Sequence, residues 1–157
     1  MRELLLVRHG KAEPAAAGGD AARALTRDGR VGIEGVGRGL AALGLRPDAI
    51  WHSPFVRAVE TAELLAAALS VSSSSMSAEP LIVPEGSVER AARALAGAGP
   101  RRLLCVSHMP LLPELVGRFT GARTDFGTGT VAHLVLAGSH GAALIGLWSA
   151  DLLARVR

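Results

Sequence analysis

The chain has 157 residues, of which 49% are hydrophobic and 20% charged, and this length and composition predict one globular domain over residues 1–157. The net charge is +3 and the basic residues are scattered, with no tyrosine and few other aromatic residues for stacking on bases. These features exclude a nucleic-acid-binding surface, and no apolar run approaches the roughly 20 residues that cross a bilayer.

Short apolar runs alternate with longer helical patterns, which predicts an α/β fold with a mainly parallel sheet. The expected architecture is a three-layer α/β/α sandwich, closed by an antiparallel hairpin with a turn at residues 138–141. In chain order, the predicted elements are strand 4–7, helix 26–43, strand 47–51, helix 53–69, strand 81–83, helix 88–98, strand 102–106, helix 110–119 and strands 131–136 and 143–148.

Local signals set several of these boundaries. Thr26 is expected to cap the first helix, and Pro110 to open the fourth. Ser53 as N-cap with Pro54 in the first helical position predicts the start of the second helix. The serine-rich residues 70–78 are expected to form a mobile surface loop.

Polar side chains follow four of the predicted strands. They are Arg8 and His9, the stretch from Ser53 to Arg57, Pro84 and Glu85, and Ser107 and His108. Ligand sites in open α/β sheets gather at the carboxyl ends of the strands, so we expect these clusters to converge.

These residue types suit the chemistry of phosphate. The guanidinium groups of Arg8 and Arg57 can bind phosphate oxygens in pairs. A neutral imidazole is a nucleophile toward phosphorus, so either His9 or His108 could attack while the other binds an oxygen. The residues alone leave the choice between the two histidines open.

Three motifs give the sequence a specific resemblance. Residues 6–10, Leu-Val-Arg-His-Gly, residues 53–58, Ser-Pro-Phe-Val-Arg-Ala, and residues 106–108, Val-Ser-His, resemble those of the histidine phosphatase superfamily, which includes phosphoglycerate mutases and acid phosphatases. The resemblance implies a phosphoglycerate mutase-like fold and a phosphatase that needs no metal or other cofactor. It implies that His9 is the nucleophile, with Arg8, Arg57 and His108 as phosphate ligands.

The short chain most resembles the compact SixA-type phosphohistidine phosphatases, also through residues 25–29, Leu-Thr-Arg-Asp-Gly, and 107–110, Ser-His-Met-Pro. We therefore expect hydrolysis of phosphohistidine on a partner protein. Gly10 and Ser53 are counted with the substrate-binding residues. Glu85 is the expected general acid, with Glu13 or Asp20 as substitutes.

Other functions stay open at this point. One is a phosphatase of the same superfamily that acts on a small phosphate ester, and another is a catalytically silent module that binds phosphorylated partners. A zinc site built from His9, His52 and His108 is disfavoured, because these residues lack local ligand spacing and two arginines would repel a cation. His133 and His140 are expected to have no catalytic role.

The compartment is expected to be the cytoplasm. Cys105 is the single cysteine, and its place in an apolar run predicts a buried, unreactive thiol. Only four apolar residues separate Glu3 from Arg8, too few for the core of a signal peptide.

Overall fold

A six-stranded sheet forms the middle layer of the computed structural model, which describes residues 1–138 and 141–157. The predicted turn therefore lies partly outside the described residues, and His140 wholly so. The strands are β1 (Arg2–Arg8), β2 (Ala49–His52), β3 (Met76–Ala78), β4 (Arg102–Ser107), β5 (Val131–Leu136) and β6 (Ala142–Trp148). The helices are α1 (Arg27–Ala42), α2 (Val56–Leu69), α3 (Val88–Gly97), α4 (Leu111–Thr120) and α5 (Ala150–Leu153).

The strand order is β3-β2-β4-β1-β5-β6, and the first four strands are mutually parallel. Strand β5 runs antiparallel to β1, and β6 antiparallel to β5, so the predicted hairpin and the mainly parallel sheet are both confirmed. Strand β1 is central because its apolar run fills both faces: Leu4 and Leu6 pack into one core, and Leu5 and Val7 into the other.

Helices cover both faces of the sheet, which confirms the three-layer sandwich. Helices α3 and α4 pack on the Leu6 face, whereas α1, α2 and α5 pack on the Leu5 face. Thr26 caps α1 as predicted, because its hydroxyl accepts a hydrogen bond of 2.9 Å from the Gly29 amide. None of the described helices has the length and apolar character that crossing a membrane requires.

The predicted start of α2 is wrong by two residues. Ser53 directly follows β2 and is still bound to the sheet, because its amide donates to the Val106 carbonyl of β4 at 3.0 Å. Phe55 is the N-cap instead, without a side-chain cap, and the Ser53 hydroxyl accepts a bond of 3.3 Å from the Phe55 amide. The Ser-Pro signal therefore marks a turn between strand and helix rather than the helix start itself.

The third strand also differs from the prediction. The apolar residues 81–83 form the end of a short 3-10 turn, Pro80–Ile82, and its C-cap. The turn forms because the Glu79 side chain accepts a hydrogen bond of 3.0 Å from the Leu81 amide, and because Pro80 has no N–H to donate to a neighbouring strand. The serine-rich stretch expected as a loop supplies β3 instead. This three-residue edge strand is held by backbone pairing with β2, so its side chains give little indication in the sequence that a strand forms here.

A partly buried polar cluster joins β1, β4 and β5 at the end of the sheet where β1 begins. Arg102 donates to both carboxylate oxygens of Glu3, at 2.9 and 3.0 Å, and His133 Nε2 lies 2.8 Å from Oε2. The hydrogen bonds from Arg102, and with them that of His133, hold the pKa of Glu3 below its ordinary value of 4.5, against the effect of burial. The ionised carboxylate therefore stabilises the folded state.

We expect Glu3→Gln to lower the free energy of unfolding at neutral pH by about 2 kcal/mol, the scale of losing charged hydrogen bonds. Because the folded pKa is depressed, the stabilisation is present above pH 4.5 and is lost as the pH falls through the folded value. Urea unfolding of wild type and variant should therefore show a stability gap that narrows in acid. Glu34→Gln, at an exposed position of α1, is the matched control. A gap that does not change with pH would contradict this role of Glu3.

Candidate active site

The parallel pairing of β1 with β4 brings two histidines together. Arg8 lies opposite Ser107 in the register, so His9 and His108 leave the sheet side by side at its carboxyl edge. Their ring centroids are 5.0 Å apart, and the residues are 7% and 1% exposed. This is the convergence that the strand-end pattern predicted.

The orientation of His9 is fixed by its backbone neighbour. Its Nδ1 lies 2.8 Å from the carbonyl oxygen of Gly10, and since a carbonyl only accepts, Nδ1 carries the proton. The Nε2 atom therefore holds the free lone pair. Gly10 is itself held in place, because its amide donates to the Thr61 hydroxyl at 3.1 Å, and that hydroxyl donates to the Arg57 carbonyl at 2.7 Å.

Arg57 enters the site from the first turn of α2 and is 3% exposed. Its Nε donates to His9 Nε2 at 3.2 Å, and its guanidinium carbon stacks 5.0 Å from the centroid of the Phe55 ring. Its two terminal nitrogens donate to Asp20, Nη1 to the carbonyl at 2.8 Å and Nη2 to Oδ2 at 3.1 Å. Glu60, three residues further along α2, does not pair with Arg57 but accepts a hydrogen bond of 2.7 Å from the Leu25 amide.

Three buried nitrogen positions have no protein partner within the described residues. They are Nε of Arg8 and both ring nitrogens of His108. The Arg8 side chain is anchored at its other end, where Nη1 donates to the Phe126 carbonyl at 2.6 Å. Buried polar atoms without partners are costly, so these nitrogens suit a polar ligand such as a phosphoryl group.

Burial keeps both imidazoles neutral. It is the main cause that lowers the pKa of His9 from 6.5 to about 4; the Gly10 carbonyl opposes it, and the charges of Arg57 and Arg8 add to it. The pKa of His108 falls to about 3, again through burial first and then through His9 and Arg57. A neutral His9 has the lone pair that nucleophilic attack requires.

These side chains line an open cleft of about 400 Å³. The loop that follows β1 forms one wall, where Arg23 donates to Asp20 Oδ1 at 2.8 Å. The hydrogen bond from Arg23 and then that from Arg57 lower the pKa of Asp20, so this carboxyl stays ionised. The lining residues are Arg8, His9, Lys11, Ala12, Asp20, Arg23, Arg57, Pro84, His108, Met109 and Thr128.

Three predicted site residues lie outside this lining. Glu85 is exposed, and only its neighbour Pro84 reaches the cleft, because the strand that was expected to aim it is a turn. Ser53 is fully buried against Phe55, and Gly10 positions His9 and packs against α1. The expected contacts of Ser53 and Glu85 with a substrate therefore stay predictions, since neither residue lines the free cleft.

Sequence reasoning missed Arg23, Thr61 and Phe55, and it held Asp20 only as a substitute acid. The spacing of Asp20 and Arg23 by three residues was the one local signal for their ion pair. No group of three or more potential metal ligands occurs in the part of the chain that the structure describes. Cys105 is buried as predicted, and burial raises the pKa of its thiol to about 12.

Comparison with known proteins agrees with this geometry. A family model described as histidine phosphatase superfamily (branch 1) matches residues 4–79, whereas no curated protein sequence matches. The solved structure of the protein histidine phosphatase SixA with tungstate is 27% identical, with a TM-score of 0.88 over 95% of this chain and 97% of that one.

Two further structures share the fold at lower identity. A proposed phosphohistidine phosphatase SixA from Agrobacterium tumefaciens is 22% identical, with a TM-score of 0.82 over 94% of this chain and 97% of that one. A phosphoserine phosphatase from Entamoeba histolytica, solved with phosphoserine, is 15% identical, with a TM-score of 0.74 over 98% and 100% of the two chains.

The sheet order, the paired histidines and the two arginines thus occur in a fold of phosphatases. Residues 4–79, which contain the first two motifs, match the model of the histidine phosphatase superfamily, and the chain has the phosphoglycerate mutase-like fold of the SixA structure. The solved structures that share its fold include phosphatase hydrolases.

The neutral state of the two histidines can be tested directly. In a ¹⁵N NMR titration of the ligand-free protein, we expect the rings of His9 and His108 to stay neutral well below pH 6.5 and to protonate near 4 and 3. Arg57→Gln removes a positive charge beside both rings and should raise both pKa values. Titration of either ring near 6.5 in the wild type would contradict the burial argument.

Proposed function

We propose that this protein hydrolyses phosphohistidine on proteins, without a metal ion and through a phosphohistidine intermediate on His9. The observation that carries the proposal is the neutral His9 Nε2, held by Gly10 with its lone pair among buried cationic donors. A phosphate ligand would supply the acceptors that Arg8 Nε and the His108 ring lack within the described protein.

The first step forms a bond between His9 Nε2 and phosphorus and breaks the bond from phosphorus to the leaving group. Arg57 Nε donates to that lone pair in the free protein, so it transfers its hydrogen bond to a phosphoryl oxygen as the attack begins. Arg8 Nε and a ring N–H of His108 donate to the other oxygens, where charge develops in the transition state.

The second step releases phosphate. A water molecule attacks the phosphorus of the intermediate, the bond to Nε2 breaks, and a proton of the water passes to the departing phosphate or to solvent. His9 recovers the neutral form with its proton on Nδ1, where the Gly10 carbonyl has held it throughout. No metal ion enters either step, because the donors that neutralise the phosphoryl charge are Arg8, Arg57 and His108.

The preference for phosphohistidine rests on the lack of a suitable acid. Asp20 is the one carboxyl among the described residues that line the cleft, and its lowered pKa keeps it ionised at neutral pH. An ionised carboxyl does not donate a proton to an alkoxide leaving group. The imidazole of phosphohistidine can leave after taking its proton from solvent, so it needs no such acid.

The likeness to SixA, which is described as a protein histidine phosphatase, supports phosphohistidine as the substrate. The likeness to a phosphoserine phosphatase supports the alternative substrate, a small phosphate ester. The proposal treats residues 1–157 as one catalytic domain. It also assigns a cytoplasmic location, in keeping with one buried thiol and no disulfide.

A substrate panel tests the proposal. We expect kcat/KM for a phosphohistidine peptide to exceed that for the matched phosphoserine peptide and for sugar phosphates by about tenfold or more, a difference of roughly 1.4 kcal/mol. His9→Ala should lose turnover of every substrate. Glu85→Gln should change none of the values clearly, since Glu85 lies outside the cleft lining.

The alternatives predict other rankings in the same assay. A sugar phosphate as best substrate, with a large loss in Glu85→Gln, would favour a metabolic phosphatase. Binding of phosphopeptides without turnover in the wild type would favour the silent module. Loss of activity with chelator, restored by added zinc or magnesium, would contradict the metal-free route.

A further inference from the structure

A second cavity, of about 370 Å³, lies beside the catalytic cleft. It is bounded by the first two turns of α1, by residues 127–130 before β5, and by the start of α5. Lys11 and Thr128 line both this cavity and the catalytic cleft. The two spaces are therefore adjacent, and a molecule whose phosphate occupies the cleft can extend into the second one.

Two exposed carboxylates and one hydroxyl of this second cavity have no partner in the described part of the protein. Asp28 and Asp151 line it from two different helices, and neither carboxylate has a hydrogen bond or ion pair with any residue that the structure describes. Thr130, which also lines it, is only 6% exposed, and its hydroxyl makes no hydrogen bond within the described chain. Thr130 is therefore a largely buried residue with a free hydroxyl at the cavity wall, and this feature suits a polar ligand independently of the two acids.

Glycine gives the second cavity its space. At Gly10 and Gly29 a side chain would collide with neighbouring atoms, so these two residues bring β1 and α1 together and form a closed wall. At Gly32, by contrast, an added Cβ would meet no atom within 4 Å. Position 32 therefore faces open space, and a larger side chain there would project into the cavity without disturbing the core.

The charges change sign from one cavity to the next. The catalytic cleft carries Arg8 and Arg57, Lys11 lies at the boundary, and the second cavity carries Asp28 and Asp151. A phosphorylated molecule fits this order when a positive charge stands next to its phosphoryl group. An acidic neighbour would meet the two carboxylates and be repelled.

We propose that the second cavity is a subsite for an ammonium or guanidinium group that belongs to the phosphorylated substrate. Asp28 and Asp151 bind the cation, and the Thr130 hydroxyl accepts one of its hydrogen bonds. The proposal rests on the phosphatase function proposed above and adds the charge next to the phosphate as a determinant of specificity. The positive group can be a lysine or arginine near a phosphohistidine, or the amine of a small phosphate ester.

The test compares pairs of substrates that differ only in one positive charge. One arm uses phosphohistidine peptides with either lysine or norleucine at each position within about four residues of the phosphohistidine. The other arm uses phosphoethanolamine against ethyl phosphate. We expect the charged member to have the higher kcat/KM by about fivefold, the scale of a solvent-screened ion pair, and the arm that shows it identifies the source of the charge.

Variants locate the effect. The double variant Asp28→Asn with Asp151→Asn should reduce the ratio of the two kcat/KM values to about one, and Gly32→Leu should do the same by filling the space. Glu34→Gln, which removes a charge from α1 outside the cavity, and Gly32→Ala are matched controls and should keep the ratio. Because the readout is a ratio, a general loss of activity or of helix stability does not imitate the effect.

Failure of this proposal can be told from failure of the phosphatase function. Wild-type hydrolysis of an aryl phosphate, with no preference for charge in either arm, would overturn the subsite alone. If the wild type hydrolysed nothing, the proposed activity would be wrong. The subsite would then be tested by calorimetry, as the affinities for phosphonate analogues of the lysine and norleucine peptides. Equal affinities for the lysine and norleucine analogues would then overturn it.

Discussion

The parallel pairing of β1 with β4 is the constraint on which the catalytic cleft depends. With Arg8 opposite Ser107, the two residues that follow, His9 and His108, meet with their rings 5.0 Å apart. A slip of one residue would turn every side chain of the slipped strand to the opposite face of the sheet and separate the rings. The leucines that fill both faces of β1 therefore fix the register and the site together.

The electrostatics of the cleft follow from burying neutral rings among cations. Arg8 and Arg57 repel each other, and in the free protein Asp20 offsets the charge of Arg57 through Oδ2 while Asp125 offsets that of Arg8. Asp20 is 57% exposed and lies on a loop, so it can yield this contact to a phosphoryl oxygen. Burial, and after it the charges of the same arginines, keep the pKa of His9 low, which preserves its lone pair until the dianion binds.

The sequence predicted the parts of the site that follow strands with long apolar runs. The runs that became β1 and β4 are buried on both faces, so their ends, and with them His9 and His108, could be located. The strand expected before Glu85 was wrong because residues 81–83 are apolar but too few to distinguish a strand from a turn that buries Ile82. The contact of Asp20 with Arg57 joins residues 37 apart in the chain, and no local pattern encodes it.

Trapping the reaction intermediate tests the central claim most directly. The enzyme is mixed with a substrate labelled on phosphorus, quenched in base within one turnover, digested and mapped by mass spectrometry. The account predicts an acid-labile, base-stable phosphate on Nε2 of His9, absent from His9→Ala. A label on His108, Ser53 or Cys105, or turnover without any labelled protein, would contradict it.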